Sequence, residues 1–180
     1  MDEAKLLIEL KSKEKLDFAF NELVTLYKER LYWHIRNIVK SHDDTDDVLQ
    51  NTFIKVYRNI DSFKGDSKLF SWMYRIATNE AITFLNKRAK QMQISSEELQ
   101  SIAISNLSSD VYFEGDQIQL KLQKAVATLP EKQQMVFNMK YFQDLKYKDI
   151  AEILETSEGA LKASYHIAIK KIEAYLLNQS

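Results

Sequence analysis

Residues 60–79, Ile-Asp-Ser-Phe-Lys-Gly-Asp-Ser-Lys-Leu-Phe-Ser-Trp-Met-Tyr-Arg-Ile-Ala-Thr-Asn, set a polar, glycine-containing loop directly ahead of an aromatic-rich helical pattern. Upstream lies Asp43-Asp44-Thr45-Asp46-Asp47, and downstream the basic cluster Lys87, Arg88 and Lys90. Single-stranded nucleic acid is held by aromatic faces that stack on bases and cations that meet phosphates. This order of residues supplies both. A second constellation sits near the C-terminus. There Ser157, Glu158, Ala160, Lys162, Ala163, His166 and Lys170 fall on one side of a helical pattern, opposite a stripe of Leu161, Tyr165, Ala168 and Ile172. A shorter amphipathic segment precedes it, with Ile150, Ala151 and Leu154 facing inward, and Glu155-Thr156-Ser157 between them. That is helix-turn-helix spacing, in which the second helix presents its N-terminal residues to a major groove. An ordinary helical hairpin carries the same stripe.

Other chemistries find no support. The acidic segment is no calcium loop, because no glycine follows at the sixth position and Ile54 stands where the bidentate glutamate belongs. His34, His42 and His166 are scattered without ligand spacing and read as surface or interface residues. No nucleophile stands beside a base, and no glycine loop suits a phosphate, so neither catalysis nor a cofactor or metal is expected.

Composition narrows the elements that position these residues. The chain has 180 residues, 45% of them hydrophobic, enough for one domain or two small ones. With 3 glycines and 1 proline it has little material for hairpin turns, so an all-α fold is expected. The absence of cysteine excludes disulfides and suits a reducing cytoplasm. No apolar run approaches the roughly 20 residues of a membrane span, and the N-terminal stretch lacks a secretory pattern. Net charge is −1, but Gln91–Leu120 holds Glu97, Glu98, Asp110, Glu114 and Asp116 and no Lys or Arg, which leaves the remainder at +4. A basic protein interrupted by an acidic strap suits nucleic acid better than the net charge suggests.

The pattern divides into residues 1–90, a flexible acidic linker over 91–114 with weak periodicity, and residues 115–180. In the first block Ser41 is expected to cap a helix starting at His42 or Asp43, with Val48, Leu49, Thr52, Phe53 and Val56 inward. Asp66 or Ser67 is expected to cap the next helix, which runs through Trp72, Ile76 and Ala77 to Leu85. In the last block Pro130 and Glu131 suit the first turn of a helix.

The stretch from Asp46 to Leu85 resembles region 2 of the bacterial RNA polymerase sigma-70 family, in particular its extracytoplasmic-function group. The features that carry the resemblance are Asp47-Val48-Leu49-Gln50, Phe53, the Phe63–Ser67 loop, Trp72, Tyr74-Arg75-Ile76-Ala77 and Asn79. The last block resembles region 4 of the same family through Leu129-Pro130, Tyr141-Phe142, Asp149–Leu154 and Ser157-Glu158-Gly159. The resemblance implies two helical domains and a protein that binds core RNA polymerase, directs it to promoters and assists promoter melting. It implies polymerase docking through Asp46, Asp47, Leu49, Gln50 and Phe53. It implies −10 promoter contacts through Lys55, Asp61, Phe63, Lys64, Gly65, Asp66, Ser67, Asn79, Lys87 and Arg88, the loop receiving a flipped base. Contacts to the duplex −35 element would come from the Ser157–Lys170 face named above. It further implies an anti-sigma partner and a linker that threads along the polymerase.

Two departures bear on the DNA. Lys162-Ala163-Ser164, Ile167 and Ile169 stand where arginines are common in relatives, so bidentate arginine-to-guanine readout is missing and phosphate contacts gain weight. Leu69-Phe70 replaces a phenylalanine followed by a basic residue. The rival readings are a helix-turn-helix regulator that acts without polymerase and a purely protein-binding helical adaptor.

Overall fold

A computed structural model describes residues 3–110 and 116–178. The described residues are helical, without strands: α1 (Glu3–Leu10), α2 (Leu16–Val39), α3 (His42–Asn59), α4 (Leu69–Met92), α5 (Ser96–Asn106), α6 (Gln117–Ala127), α7 (Glu131–Phe137), α8 (Tyr147–Leu154) and α9 (Glu158–Asn178). They form two compact units, Met1–Phe84 and Leu85–Ser180, with the division inside α4. Glu114 and Gly115, where the acidic segment was expected to end and the last block to begin, lie outside the described residues.

In the first unit, Leu6 and Leu10 of α1, Leu23, Leu31 and Ile35 of α2, Val48 and Val56 of α3, and Leu69, Met73 and Ala77 of α4 are buried. α3 starts where the sequence places it, and the Ser41 hydroxyl accepts from the Asp44 N–H at 3.5 Å. α4 starts differently. Asp66 and Ser67 lie in the turn; the helix begins at Leu69, whose N–H donates to Glu3 Oε1 at 3.1 Å. A carboxylate from α1 thus meets the positive end of α4, a site that favours negative charge. The caps expected from adjacent residues are replaced by one that arrives through the fold.

His34 also differs from expectation: it is not at the surface but buried, with Nε2 2.8 Å from Thr78 Oγ1 and the ring 4.7 Å from Tyr74. The single Thr78 hydroxyl proton is donated to the Tyr74 carbonyl at 2.7 Å, so His34 Nε2–H is the donor to Thr78. A neutral imidazole satisfies this arrangement.

The second unit is built around Ala125 and Val126 at the end of α6, Leu129 just beyond it, Phe137 of α7, and Ala168 and Ile172 of α9. The segment expected as an irregular acidic linker contains α5. Its start is a complete capping box: Ser95 Oγ accepts from Glu98 N–H at 3.1 Å and Glu98 Oε2 accepts from Ser95 N–H at 2.7 Å. Ile104 and Leu107 pack with Leu120 and Ala127 of α6. The carbonyls at the end of α6 are orphaned by helix termination. Gln100 of α5 and Gln134 of α7 supply the missing donors. Gln134 Nε2 reaches the Leu129 carbonyl at 2.7 Å and the Ala127 carbonyl at 3.2 Å; Gln100 Nε2 reaches the Leu129 carbonyl at 3.3 Å and also bonds Ala127.

Burial lowers the pKa of His34 from 6.5 to about 3. Between those values the unfolded chain binds a proton that the folded chain does not. Its contribution to stability is therefore complete above pH 6.5 and is lost as pH falls toward 3, by up to about 1.4 kcal/mol per pH unit. His34→Gln, which keeps an amide donor for Thr78, is expected to show a shallower loss of stability below pH 6.5 than the parent chain in urea unfolding.

Candidate nucleic-acid interface

The loop between α3 and α4 is held from within. A short 3-10 turn, Ile60–Ser62, buries Ile60, and the Phe63 N–H closes onto the Ile60 carbonyl at 3.1 Å. Phe63, which the resemblance places among the −10 contacts and which can equally be plain core, is 4% exposed, with its ring 5.2 Å from Trp72 on α4. Burying a ring of this size outweighs leaving it for a ligand. Asp61, Lys64, Gly65 and Asp66 are exposed around this anchor and Ser67 is half-buried. Gly65 has φ +81, which glycine adopts at little cost, and a Cβ built there would meet nothing within 4 Å. The loop therefore shows open backbone and charged side chains over a fixed aromatic base. Beyond it, the Lys68 ammonium lies 5.5 Å from the Phe70 ring centroid.

On α3, Asp46, Asp47 and Gln50 are exposed and Phe53 is half-buried, its ring edge-on to Phe20 at 6.2 Å. Leu49 does not join them. At 5% exposure it belongs to the core, because its position on the helix faces inward with Val48, Thr52 and Val56. The exposed apolar surface comes from Ile54 and Tyr57, which sequence reasoning did not single out. Their signal was available: both are large apolar residues off the inward stripe. Tyr57 also donates to Asp17 Oδ1 at 2.8 Å. At the other end of α3 the Tyr32 hydroxyl and His42 Nδ1 are 2.6 Å apart, and His42 Nε2 lies 3.8 Å from the Asp46 carboxylate.

Lys55 is ion-paired with Glu80 of α4, and Asn79 is exposed beside Glu80 in sequence. Lys87 and Arg88 are exposed on the part of α4 that belongs to the second unit.

In the second unit, α8 ends at Leu154 and the next residue, Glu155, takes a left-handed conformation with φ +52. Ser157 then caps α9, its Oγ accepting from Ala160 N–H at 3.2 Å. On α8 the buried residues are Asp149, Ile150 and Ile153; Ala151 and Leu154, expected inward, are only half-buried because the face that meets α9 is rotated by about one residue. On α9 the two sides separate as the spacing predicts. Leu161, Ala168 and Ile172 are buried, Tyr165 of the expected stripe is half-buried, and Ser157, Glu158, Ala160, Lys162, Ala163, His166 and Lys170 are all exposed. Ile167 is exposed with them.

Among the described residues no cluster of three or more His, Asp or Glu side chains is placed to hold a metal ion, and no helix is long and apolar enough to cross a membrane.

Comparison with known proteins agrees with this arrangement. The models of sigma-70 region 2 and sigma-70 region 4 match residues 23–91 and 119–172. An ECF RNA polymerase sigma-E factor of Haemophilus influenzae is 32% identical over 86% of this chain and 86% of its own length. The ECF RNA polymerase sigma factor SigW of Bacillus subtilis is 30% identical over 82% of this chain and 83% of its own. A solved structure of the sigma factor RpoE in complex with the anti-sigma factor NepR from Bartonella quintana shares the fold, with TM-score 0.67 at 20% identity over 87% of this chain and 96% of that one. The chain belongs to the extracytoplasmic-function group of the sigma-70 family of RNA polymerase sigma factors. It is a transcription initiation factor, and the chemistry of RNA synthesis lies in the polymerase.

Because Phe63 is a structural anchor, Phe63→Ala is expected to destabilise the first unit by about 3 kcal/mol. Lys64→Ala, on the exposed part of the loop, is expected to shift stability by less than about 0.5 kcal/mol. Denaturant unfolding of both variants checks the contrast.

Proposed function

We propose that the N-terminal helices α3 and α4 and the C-terminal helix α9 divide promoter recognition along the lines of their surfaces. Asp46, Asp47 and Gln50, with Phe53, Ile54 and Tyr57 as the apolar part, form the face that docks on core polymerase; an apolar centre with a polar rim is what a protein interface requires. Leu49 supports this face from the core. The exposed loop residues Asp61, Lys64, Gly65, Asp66 and Ser67, above Phe63, take one base displaced from the −10 non-template strand. The cost of extruding a base is a few kcal/mol, recovered by contacts in the pocket. Asn79, Lys87 and Arg88 contribute contacts to the strand or its backbone, and Lys55 does so when released from Glu80. The α9 face from Ser157 to Lys170 engages the −35 duplex, mainly through phosphates, since it carries no arginine. Residues 1–90 and 115–180 act as the two domains, with the acidic segment 91–114 as the connection. The protein acts in the cytoplasm, and an anti-sigma partner controls it by covering the α3 face.

The observation that carries this reading is the complete exposure of the α9 face opposite a buried stripe. Reconstitution with core polymerase tests the whole. Asp47→Lys with Gln50→Ala is expected to lower holoenzyme formation at least about tenfold, measured by competition for core. Exchange of residues 64–67 is expected to leave holoenzyme formation intact and reduce promoter opening, read by permanganate reactivity of unpaired thymines. If the protein bound promoter duplex tightly without core and gave no initiation with it, the regulator reading would replace this one.

A further inference from the structure

Two carbonyls in the second unit are served twice. The Leu129 carbonyl accepts from Gln134 Nε2 at 2.7 Å and from Gln100 Nε2 at 3.3 Å, and the Ala127 carbonyl accepts from both amides as well. A carbonyl oxygen has two lone pairs and an amide two protons, so neither glutamine excludes the other. The donors come from elements of different standing. Gln134 belongs to α7, whose Met135, Val136 and Phe137 are buried. Gln100 belongs to α5, in which no residue is buried. Ile104 of α5 packs with Leu107, Leu120 and Ala127, while Ile102 is 41% exposed. When α5 lifts from this site, Gln134 still satisfies both carbonyls. The penalty for orphaned groups at a helix end, which would otherwise hold α5 down, is therefore absent.

The shape of α5 also depends on its dock. It has 11 residues, below the length at which an isolated helix holds in water. Ser101, Ile102, Ile104, Ser105 and Asn106 are weak helix formers, set against one capping box at Ser95. Detachment and unwinding are therefore coupled, as in the local opening of a structural unit. The change in reach is large: α5 spans about 16 Å as a helix and up to about 36 Å drawn out. We propose that α5 is a releasable strap that stores tether length. Docked on the end of α6 in the free chain, it lets go and unwinds when the chain joins core polymerase, and lengthens the connection between α4 and α6 by about 20 Å. The trigger rests on the reading that this chain docks on core polymerase. Charge gives the release its direction. Glu97 and Glu98 are exposed and the stretch from Gln91 to Leu120 has no Lys or Arg, so a positively charged partner surface favours the released segment.

The test uses the full chain, which has no cysteine of its own. Ile102→Cys on α5 and Glu173→Cys on α9, both exposed positions, carry nitroxide labels, and pulsed electron paramagnetic resonance reads the distance between them. One short, narrow distance is expected in the free chain and a longer, broad one in the complex with core polymerase. Retention of the short distance in that complex overturns the release. Gln100→Ala is expected to raise amide hydrogen exchange over residues 97–106 about fivefold, the effect of one hydrogen bond, and to leave exchange in α7 and α9 unchanged. Its cost in urea unfolding is expected to be larger in a Gln134→Ala chain than in the parent; equal costs overturn the sharing of the two carbonyls. Gln100→Ala with Ile104→Ala is expected to give the long distance in the free chain while α6, α7 and α9 stay folded. If that double variant unfolds the second unit as a whole, α5 is part of its core and the strap fails. If no complex with core polymerase forms, the polymerase reading fails, and the double variant in the free chain decides the strap by itself.

Discussion

The contact between Phe63 and Trp72 is the constraint on which the first unit's display depends. A loop that offers charge and backbone to a ligand must be held by something other than the groups it offers. Here the apolar ring is the holder. It pins the loop between the end of α3 and the start of α4, and Lys64, Gly65 and Asp66 stand outside it. The start of α4 is fixed in turn by Glu3, so α1, far away in sequence, sets the position of the loop's far end. The packing of α1, α2 and α3 against one another thereby reaches the surface through one carboxylate and one ring.

The second unit solves a similar problem with polar contacts. α6 ends abruptly before Pro130, and its terminal carbonyls would be left without donors. Gln100 and Gln134 both donate to the Ala127 carbonyl that ends α6 and to the Leu129 carbonyl just beyond it, which fastens α5 and α7 to the same point. The buried face of α9 closes on this frame through Ala168 and Ile172. What remains outward on α9 carries Lys162, His166, Lys170 and Lys171 with Ala160, Ala163 and Ile167 among them, and no arginine. Tyr165 of α9 joins Phe137 and Tyr147 in an aromatic cluster on the other side.

Local chemistry was legible in the sequence, and long-range chemistry was not. The Ser41 and Ser157 caps could be read because a cap and its partner lie within three residues. The exposed face of α9 could be read because helical period alone separates it from Leu161, Ala168 and Ile172. The Ser95-to-Glu98 capping box was equally local and marks α5; the acidic, serine-rich composition around it drew attention to a linker instead. Glu3 as the cap of α4 could not be read, since only the fold brings residues 3 and 69 together. His34 gave no sign of burial, because its partner Thr78 lies on another helix. Leu49 and Phe63 sit inside the motifs that carry the family resemblance, and a motif does not state which members face the ligand and which hold the others in place. Their burial turns both into supports for the exposed residues beside them.

We propose that the exposed loop over Phe63 meets a displaced promoter strand. The most direct measurement is site-specific photocrosslinking from position 64. A benzophenone amino acid replaces Lys64, and the chain is assembled with core polymerase on a promoter labelled separately on each strand. Crosslinks to the non-template strand within the −10 element, appearing only when the promoter opens, are expected. Crosslinks to polymerase alone, or to duplex DNA equally before and after opening, would contradict it.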